Sequence, residues 1–422
     1  MRSLVLAVLM SCFGFAQAQQ TPPDLDGYVT SVTSTTDFAV DGTHVVCGTK
    51  TRYRAANDPT GPKISWTNGP YIGQPLKVFG KKNHKSQTVT AKVIAIQYER
   101  LSEKAGLGVI DRVLFADTGN RRQIVVRADG YPVVIDGKTK SSFTAPLTSM
   151  ADISTNVWIE FKGEQQPDGH IIAAQAVFTR NAVGGGEGKL RGKNEYDPAK
   201  VDPRHKQGVI SKALIGTKVK RIPPYQDPAT QARIDRIGAS LVPEYQRALP
   251  ATDPTKINFR FQLIDLPWSV AYALPSGIVL VPVHAVDRLQ NDAQIAAILA
   301  DAMAASMEKR DYRDQPAMYA MEAAGWATEA GGFLVPGLGW AGLGGNTIAH
   351  SVMERHDVEQ SARVSLGLLH DAKYDIYEAP IAWWILASRK PKDLADIAMP
   401  ERARYLYQML GTTWRTGQMV VP

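Results

Sequence analysis

The chain repeats a short pattern twice between residues 26 and 180, and this repeat limits the folds open to its first half. Alternating apolar and polar residues predict strands, and an Asp-Gly pair is preferred at the tight turn of a hairpin. We therefore predict two small antiparallel β barrels, at residues 26–98 and 106–180. The matched segments are 27–32 with 108–113, Asp41-Gly42 with Asp129-Gly130, 76–80 with 159–163, and 91–93 with 174–177.

These two segments resemble the small OB-like barrels of many exported bacterial proteins, whose function is unknown. The resemblance covers residues 26–180 and carries no known catalytic residues. It implies either a ligand-binding surface or a spacer, because a barrel of this type serves many unrelated functions.

The first residues predict export. Arg2 precedes an apolar run at residues 4–15, and Ala16-Gln17-Ala18 has the small residues of a cleavage site. This is the pattern of a secretory signal peptide at residues 1–18, and it predicts a periplasmic or secreted protein cleaved after Ala18. No later apolar stretch reaches the roughly 18 residues that a membrane helix requires. A lipid anchor at Cys12 is the alternative, because the residues before it loosely resemble a lipoprotein signal.

The net charge of +7 raises the question of an anionic partner. Many cations lie between Lys189 and Arg221, among glycines and prolines and without apolar periodicity. This composition predicts a solvated basic linker at residues 181–222. Tyr196 is the one aromatic residue among these charges, so we expect no nucleic-acid partner. Peripheral contact with an anionic lipid or polymer surface stays open.

The hydrophobic period changes after the linker. Residues 228–247 place Ile234, Ile237 and Leu241 on one helical face, and residues 257–265 and 278–283 have the pattern of strands. Asn291 is a predicted cap for an alanine-rich helix at residues 293–309. The pattern predicts an α+β, mainly helical domain at residues 223–422.

The order of these elements resembles family 48 of the metallopeptidases, the gluzincin group of HtpX and the CAAX-prenyl endopeptidases. The resemblance covers residues 228–410 and implies a zincin-like fold in which an HExxH helix and a later glutamate hold zinc. The segments that carry it are Val-Ala-Tyr-Ala-Leu-Pro-Ser-Gly at 270–277, Asn-Asp-Ala-Gln-Ile-Ala at 291–296, Glu-Gln-Ser-Ala-Arg at 359–363 and Ala-Lys-Tyr-Asp at 372–375.

The resemblance also implies that the zinc chemistry is lost. Asp301 stands at the first-ligand position, Ala302 at the position of the general base and Ala305 at the second-ligand position. Glu359 keeps the third-ligand type, and Arg363 replaces the aspartate that usually follows it. We therefore expect no catalytic residue and no cofactor, with an ion pair between Asp301 and Arg363.

Two functions follow from the resemblance. The first is a non-catalytic pseudo-peptidase that binds a polypeptide or an envelope protein. The alternative is a zinc-dependent metalloendopeptidase of envelope quality control, with a relocated metal site that uses Asp301, His356 and Glu359. A glycine-rich apolar segment at residues 331–345 would be a lid, a partner surface or a packed loop.

Overall fold

The structure is a computed structural model, and its main feature is a pair of closed five-stranded barrels followed by a mainly helical region. It describes residues 22–55, 59–67, 69–83, 86, 88–97, 102–117, 123–193, 195–201, 222–266, 270–313, 348–387, 398–419 and 421. The predicted signal peptide, Cys12 and the segment 331–345 lie outside these residues. Among the helices described, none is both long and apolar enough to cross a membrane.

The first barrel closes around its own small core. Its strands follow the order β1-β2-β3-β5-β4, and β4 pairs with β1 to complete the ring. Buried apolar side chains such as Val29, Phe38 and Leu76 fill the interior. The strands are β1 (Leu25–Ser34), β2 (Asp37–Val40), β3 (Thr43–Arg54), β4 (Pro75–Asn83) and β5 (Thr88–Ile96).

The second barrel repeats this topology. Its ring runs β6-β7-β8-β11-β10, and β10 pairs with β6 to close it, while β9 adds to β11. The prediction of two OB-like barrels is confirmed at this level. The strands are β6 (Ser102–Ala116), β7 (Gln123–Ala128), β8 (Tyr131–Asp136), β9 (Lys140–Phe143), β10 (Val157–Gln165) and β11 (Ile171–Arg180).

The expectation of purely antiparallel barrels is wrong. In each ring one neighbouring pair is parallel, β3 with β5 and β8 with β11. The reason is geometric, because five strands cannot alternate in direction all the way around a closed ring. Alternation along a single strand carries no information about the direction of its neighbour, so the sequence could not show this.

Both predicted Asp-Gly turns are present and connect equivalent strands. Asp41 and Gly42 have φ angles of 45° and 74°, and Asp129 and Gly130 have 52° and 70°. Positive φ at both central residues defines the hairpin turn that matches strand twist, and aspartate tolerates this conformation better than most side chains.

The C-terminal region combines helices with one small sheet. The sheet has the order β12-β14-β13, with β12 parallel and β13 antiparallel to β14. Its strands are β12 (Arg260–Ile264), β13 (Tyr272–Ala273) and β14 (Ile278–Pro282). The helices after the barrels are α1 (Gly185–Lys193), α2 (Pro228–Leu241), α3 (Glu244–Ala248), α4 (Val283–Val286), α5 (Asp292–Met307), α6 (Arg310–Arg313), α7 (Ile348–Asp371), α8 (Glu378–Ala387) and α9 (Glu401–Gly411).

The two barrels differ in how they join this region. Apolar side chains of the second barrel, among them Ile110 and Phe161, belong to the same buried cluster as the side chains of α2, α5, α7 and α9. The first barrel keeps a separate cluster. The second barrel is therefore part of the helical region's core, whereas the first barrel is an attached unit.

Part of the segment predicted to be a solvated linker is ordered and packed. Glu187 of α1 is buried and pairs with Lys309 at 2.9 Å and with Arg191 at 2.7 Å. Tyr196 is also buried, and its hydroxyl donates to the carbonyl of Ile222 at 2.8 Å. The expectation of solvation is wrong for these residues, because the buried carboxylate of Glu187 pairs with one cation of the segment and with one beyond the end of α5, which composition alone does not show.

Candidate functional site

Four positions were predicted for the zinc ligands and the general base, and three of them lie on α5. The Oδ1 of Asn291 accepts a hydrogen bond from the backbone N–H of Gln294 at 2.9 Å and caps the start of this helix, as predicted. Asp301, Ala302 and Ala305 are only 4%, 3% and 4% exposed. A helix that is apolar on nearly every face is buried on every face, so these positions lie inside the protein.

Asp301 has a positively charged partner, but the prediction that this partner is Arg363 is wrong. Its Oδ2 lies 3.1 Å from Nη1 of Arg402 on α9, and that guanidinium stacks 4.2 Å from the ring centroid of Trp383. Burial raises the pKa of Asp301, while the charges of Arg402 and Arg310 oppose the rise. A guanidinium that also stacks on Trp383 therefore stands beside the residue predicted to replace the first ligand.

Arg363 points away from α5 and into the second barrel. Its Nη2 lies 2.5 Å from Oδ1 of Asp129, its Nε donates to the Asp129 carbonyl at 2.9 Å, and its Nη1 donates to the Tyr405 hydroxyl at 2.7 Å. Burial alone would lower the pKa of Arg363, but Asp129 and the neighbouring tyrosines reverse this and hold it well above its usual range. A Cβ on Gly130 would lie 2.5 Å from Cβ of Arg363, so the glycine permits the helix to lie directly on the turn.

Glu359, the predicted third ligand, is half-buried on α7. Its neighbour Gln360 is buried and donates from Nε2 to the carbonyl of Leu107 at 2.6 Å. Glu308, at the end of α5, accepts from the backbone N–H of Val109 at 3.2 Å. Both helices therefore satisfy backbone groups of β6, and the junction with the second barrel continues up to the predicted ligand.

The structure brings no metal site together within its described residues, where no group of three or more His, Cys, Asp and Glu side chains is placed to hold an ion. The side chains of His350 and His356 lie outside the described part of α7. The relocated site of Asp301, His356 and Glu359 therefore stays a prediction.

A second buried charge cluster joins the same barrel to the end of α7. The Arg127 guanidinium is buried and lies 2.7 Å from Oδ1 of Asp111 and 2.6 Å from Oδ2 of Asp371. Arg112 pairs with the other oxygen of Asp371 at 2.6 Å. Burial raises the pKa of Asp111, and the Arg127 charge opposes it. This cluster holds the barrel against α7, because separating the two surfaces would break both arginine contacts of Asp371, although Arg127 and Asp111 would stay paired within the barrel.

The first barrel uses the equivalent turn in a more exposed setting. Asp41 accepts the backbone N–H of Tyr28 at 2.9 Å through Oδ1, and its Oδ2 lies 2.7 Å from Nη2 of Arg404 on α9. The Arg404 and Asp41 side chains are 43% and 20% exposed, against 3% and 0% for Arg363 and Asp129. Each barrel thus presents its turn aspartate to an arginine of the helical region, and only the second contact is fully desolvated.

Helix α9 ends between the two barrels. A Cβ on Gly73 of the first barrel would lie 2.1 Å from the carbonyl oxygen of Tyr407. A Cβ on Gly169 of the second barrel would lie 2.3 Å from Oγ1 of Thr413. Both glycines have positive φ, so backbone conformation and close approach each require glycine there.

None of the ion pairs and hydrogen bonds between the barrels and the helices was predicted from the sequence. The repeated Asp-Gly pairs were visible, and so was Arg363, but nothing in the sequence indicated that an aspartate of a barrel turn would meet an arginine 234 residues away.

Comparison with known families gives one match. Residues 26–95 match the family described as "Domain of unknown function (DUF5666)". The match covers the first barrel and less than half of the chain, so it identifies this domain rather than the whole protein. No curated protein matches the chain. The metallopeptidase resemblance rests on the sequence segments alone.

Proposed function

We propose that this protein is an exported, non-catalytic relative of the zinc metallopeptidases that binds a polypeptide or an envelope protein. The observation that supports this best is the ion pair between Asp301 and Arg402, since the sequence resemblance assigns the first zinc ligand of the family to position 301.

The chemistry at these positions disfavours a metal. Alanine at 302 and 305 supplies no donor atom, and a structural or catalytic zinc site needs three or four ligands. A unit positive charge held about 4 Å from a cation costs roughly 4 kcal/mol per unit charge at an effective dielectric constant of 20. A divalent ion beside Asp301 would meet this repulsion from Arg402 and would also have to compete with it for the carboxylate.

A binding role does not need those ligands. In the peptidases the corresponding helices line a cleft that receives an extended polypeptide. Loss of the zinc ligands and the general base can therefore leave polypeptide binding intact. The attached first barrel offers a second contact surface, since its core is a cluster separate from that of the helical region.

The test separates binding from cleavage. Fluorescein-labelled β-casein, an unfolded polypeptide, should show a saturable rise in fluorescence anisotropy with the purified protein, and the same titration in EDTA should give the same affinity. Folded lysozyme with the same label serves as the control and should not bind. Gel electrophoresis after overnight incubation with zinc should show intact casein.

Two results would contradict the proposal. Cleavage of casein that EDTA abolishes would establish an active metallopeptidase. Absence of saturable casein binding would remove the polypeptide-binding role.

A further inference from the structure

One outer face of the first barrel carries cations from three neighbouring strands. Lys50 and Arg52 belong to β3, Lys92 to β5 and Lys81 to β4, and all four side chains are exposed. We call these four residues the basic face. They are far apart in the sequence, and the barrel brings them together.

The strand registers place three of the four cations close to one another. Lys81 lies opposite Thr90, and Lys92, two residues further along β5, is the extra residue at the register shift between Phe79 and Gly80, so Lys81 and Lys92 lie near each other on neighbouring strands. On the other side of β5, Arg52 pairs with Val93, next to Lys92. Lys50 lies in the irregular stretch between the paired residues Cys47 and Arg52.

The described carboxylates of the barrel do not neutralise these charges. None of the four has an ion-pair partner in the described part of the chain. Asp24, beside β4, accepts a hydrogen bond from the backbone N–H of Gly80 at 2.6 Å. The other described carboxylates of the barrel form ion pairs with other residues: Asp26 with Lys77, Asp37 with His44 and Asp41 with Arg404.

The second barrel shows that the fold does not require these cations. Strands β4 and β10 have the same irregularity, at Gly80 and at Gly163, which aligns the two barrels residue by residue. By that alignment Lys81 corresponds to Glu164 and Lys92 to Ala174. The same topology therefore carries an acidic and an apolar residue where the first barrel carries two lysines.

We propose that the basic face docks the protein on the surface of an anionic lipid bilayer. Several cations on one side of a domain are sufficient for such a contact, since each contributes roughly five-fold to the affinity for an anionic membrane. A single-stranded nucleic acid fits this surface less well, because it is held by free aromatic faces as well as by charge. Three of the described aromatic rings of the barrel pack on one another instead, Trp66 with Phe38 at 5.9 Å and with Tyr53 at 5.3 Å.

The experiment is co-sedimentation of the full purified protein with vesicles. We expect binding to vesicles of phosphatidylglycerol and phosphatidylcholine, no binding to phosphatidylcholine alone, and loss of binding in high salt. The double variant Lys81→Glu/Lys92→Glu should bind at least about 25-fold more weakly. Its matched control is Lys138→Glu/Lys140→Glu, which makes the same charge change at exposed lysines of the second barrel and should retain most of the binding.

Three outcomes would overturn the proposal. The first is equal binding to anionic and neutral vesicles, and the second is equal loss in the two double variants. The third is tighter binding of a 20-nucleotide single-stranded DNA than of the vesicles, with this DNA binding lost in Lys81→Glu/Lys92→Glu. That result would assign the basic face to nucleic acid. Circular dichroism confirms that each variant is folded. None of these results depends on whether the protein binds casein.

Discussion

Replacing Arg363 with methionine should lower the free energy of unfolding by about 3–5 kcal/mol, because it leaves a buried carboxylate without its counter-charge. Arg363 makes two hydrogen bonds to Asp129 and one to Tyr405, and neither member of the ion pair is more than 3% exposed. Methionine fills most of the volume, so the expected loss arises from the unpaired Asp129 rather than from a cavity.

The test is a double-mutant cycle in urea at 25 °C and pH 7, followed by circular dichroism on the transition of the core shared by the second barrel and the helices. The asparagine introduced by Asp129→Asn tolerates positive φ, so the pair Asp129→Asn/Arg363→Met removes both charges without straining the turn. This double variant should recover at least half of the loss. If Arg363→Met costs less than about 1 kcal/mol, or if the two single losses simply add, the two groups are not coupled as the structure indicates.

The matched control is the equivalent contact of the first barrel. Because Arg404 and Asp41 are 43% and 20% exposed, water screens the pair, and Arg404→Met should cost no more than about 1 kcal/mol. A loss as large as that of Arg363→Met would mean that the difference in burial does not set the strength of the two contacts.

Two further predictions concern zinc and pH. Calorimetry should detect no stoichiometric zinc binding by the purified protein. The variant Asp301→His/Ala302→Glu/Ala305→His combined with Arg402→Met should bind zinc orders of magnitude more tightly, because it introduces the ligands of the family and removes the competing cation. Tight zinc binding by the unmodified protein would refute the prediction of an inactive site. Burial and the nearby Asp129 charge raise the pKa of Glu308 well above its usual range, so folding favours the protonated form of this side chain. The stability that comes from this proton is complete below the unfolded-state pKa and is lost as the pH rises through the folded-state pKa. The stability of the unmodified protein in urea relative to Glu308→Gln should therefore be greater at pH 5 than at pH 8, by about 1.4 kcal/mol for each pH unit of this interval that lies below the folded-state pKa. An equal difference at both pH values would contradict the shift.

The sequence predicted those features that are encoded by neighbouring residues. The Asp-Gly turns were found because both central positions favour residues that accept positive φ, and the start of α5 was found because Asn291 caps it. The repeat predicted two barrels because each copy carries the same succession of strands and turns.

Features that depend on distant residues were not predicted. The direction of β3 relative to β5 follows from ring closure, and the partner of Asp301 follows from the packing of α9, so neither leaves a local signal. The basic face is the clearest case: the sequence drew attention to the cations between Lys189 and Arg221, whereas Lys81 and Lys92 become neighbours only when the first barrel closes.

The pairing of Asp129 with Arg363 has a consequence for the order of assembly during synthesis. At 5–20 residues per second, the 234 residues that separate them take roughly 10–50 s to translate. The first barrel can complete its core as soon as its own strands are made. The second barrel cannot complete its buried contacts so early, since Asp129 has no counter-charge until Arg363 of α7 has been made and packs over the turn.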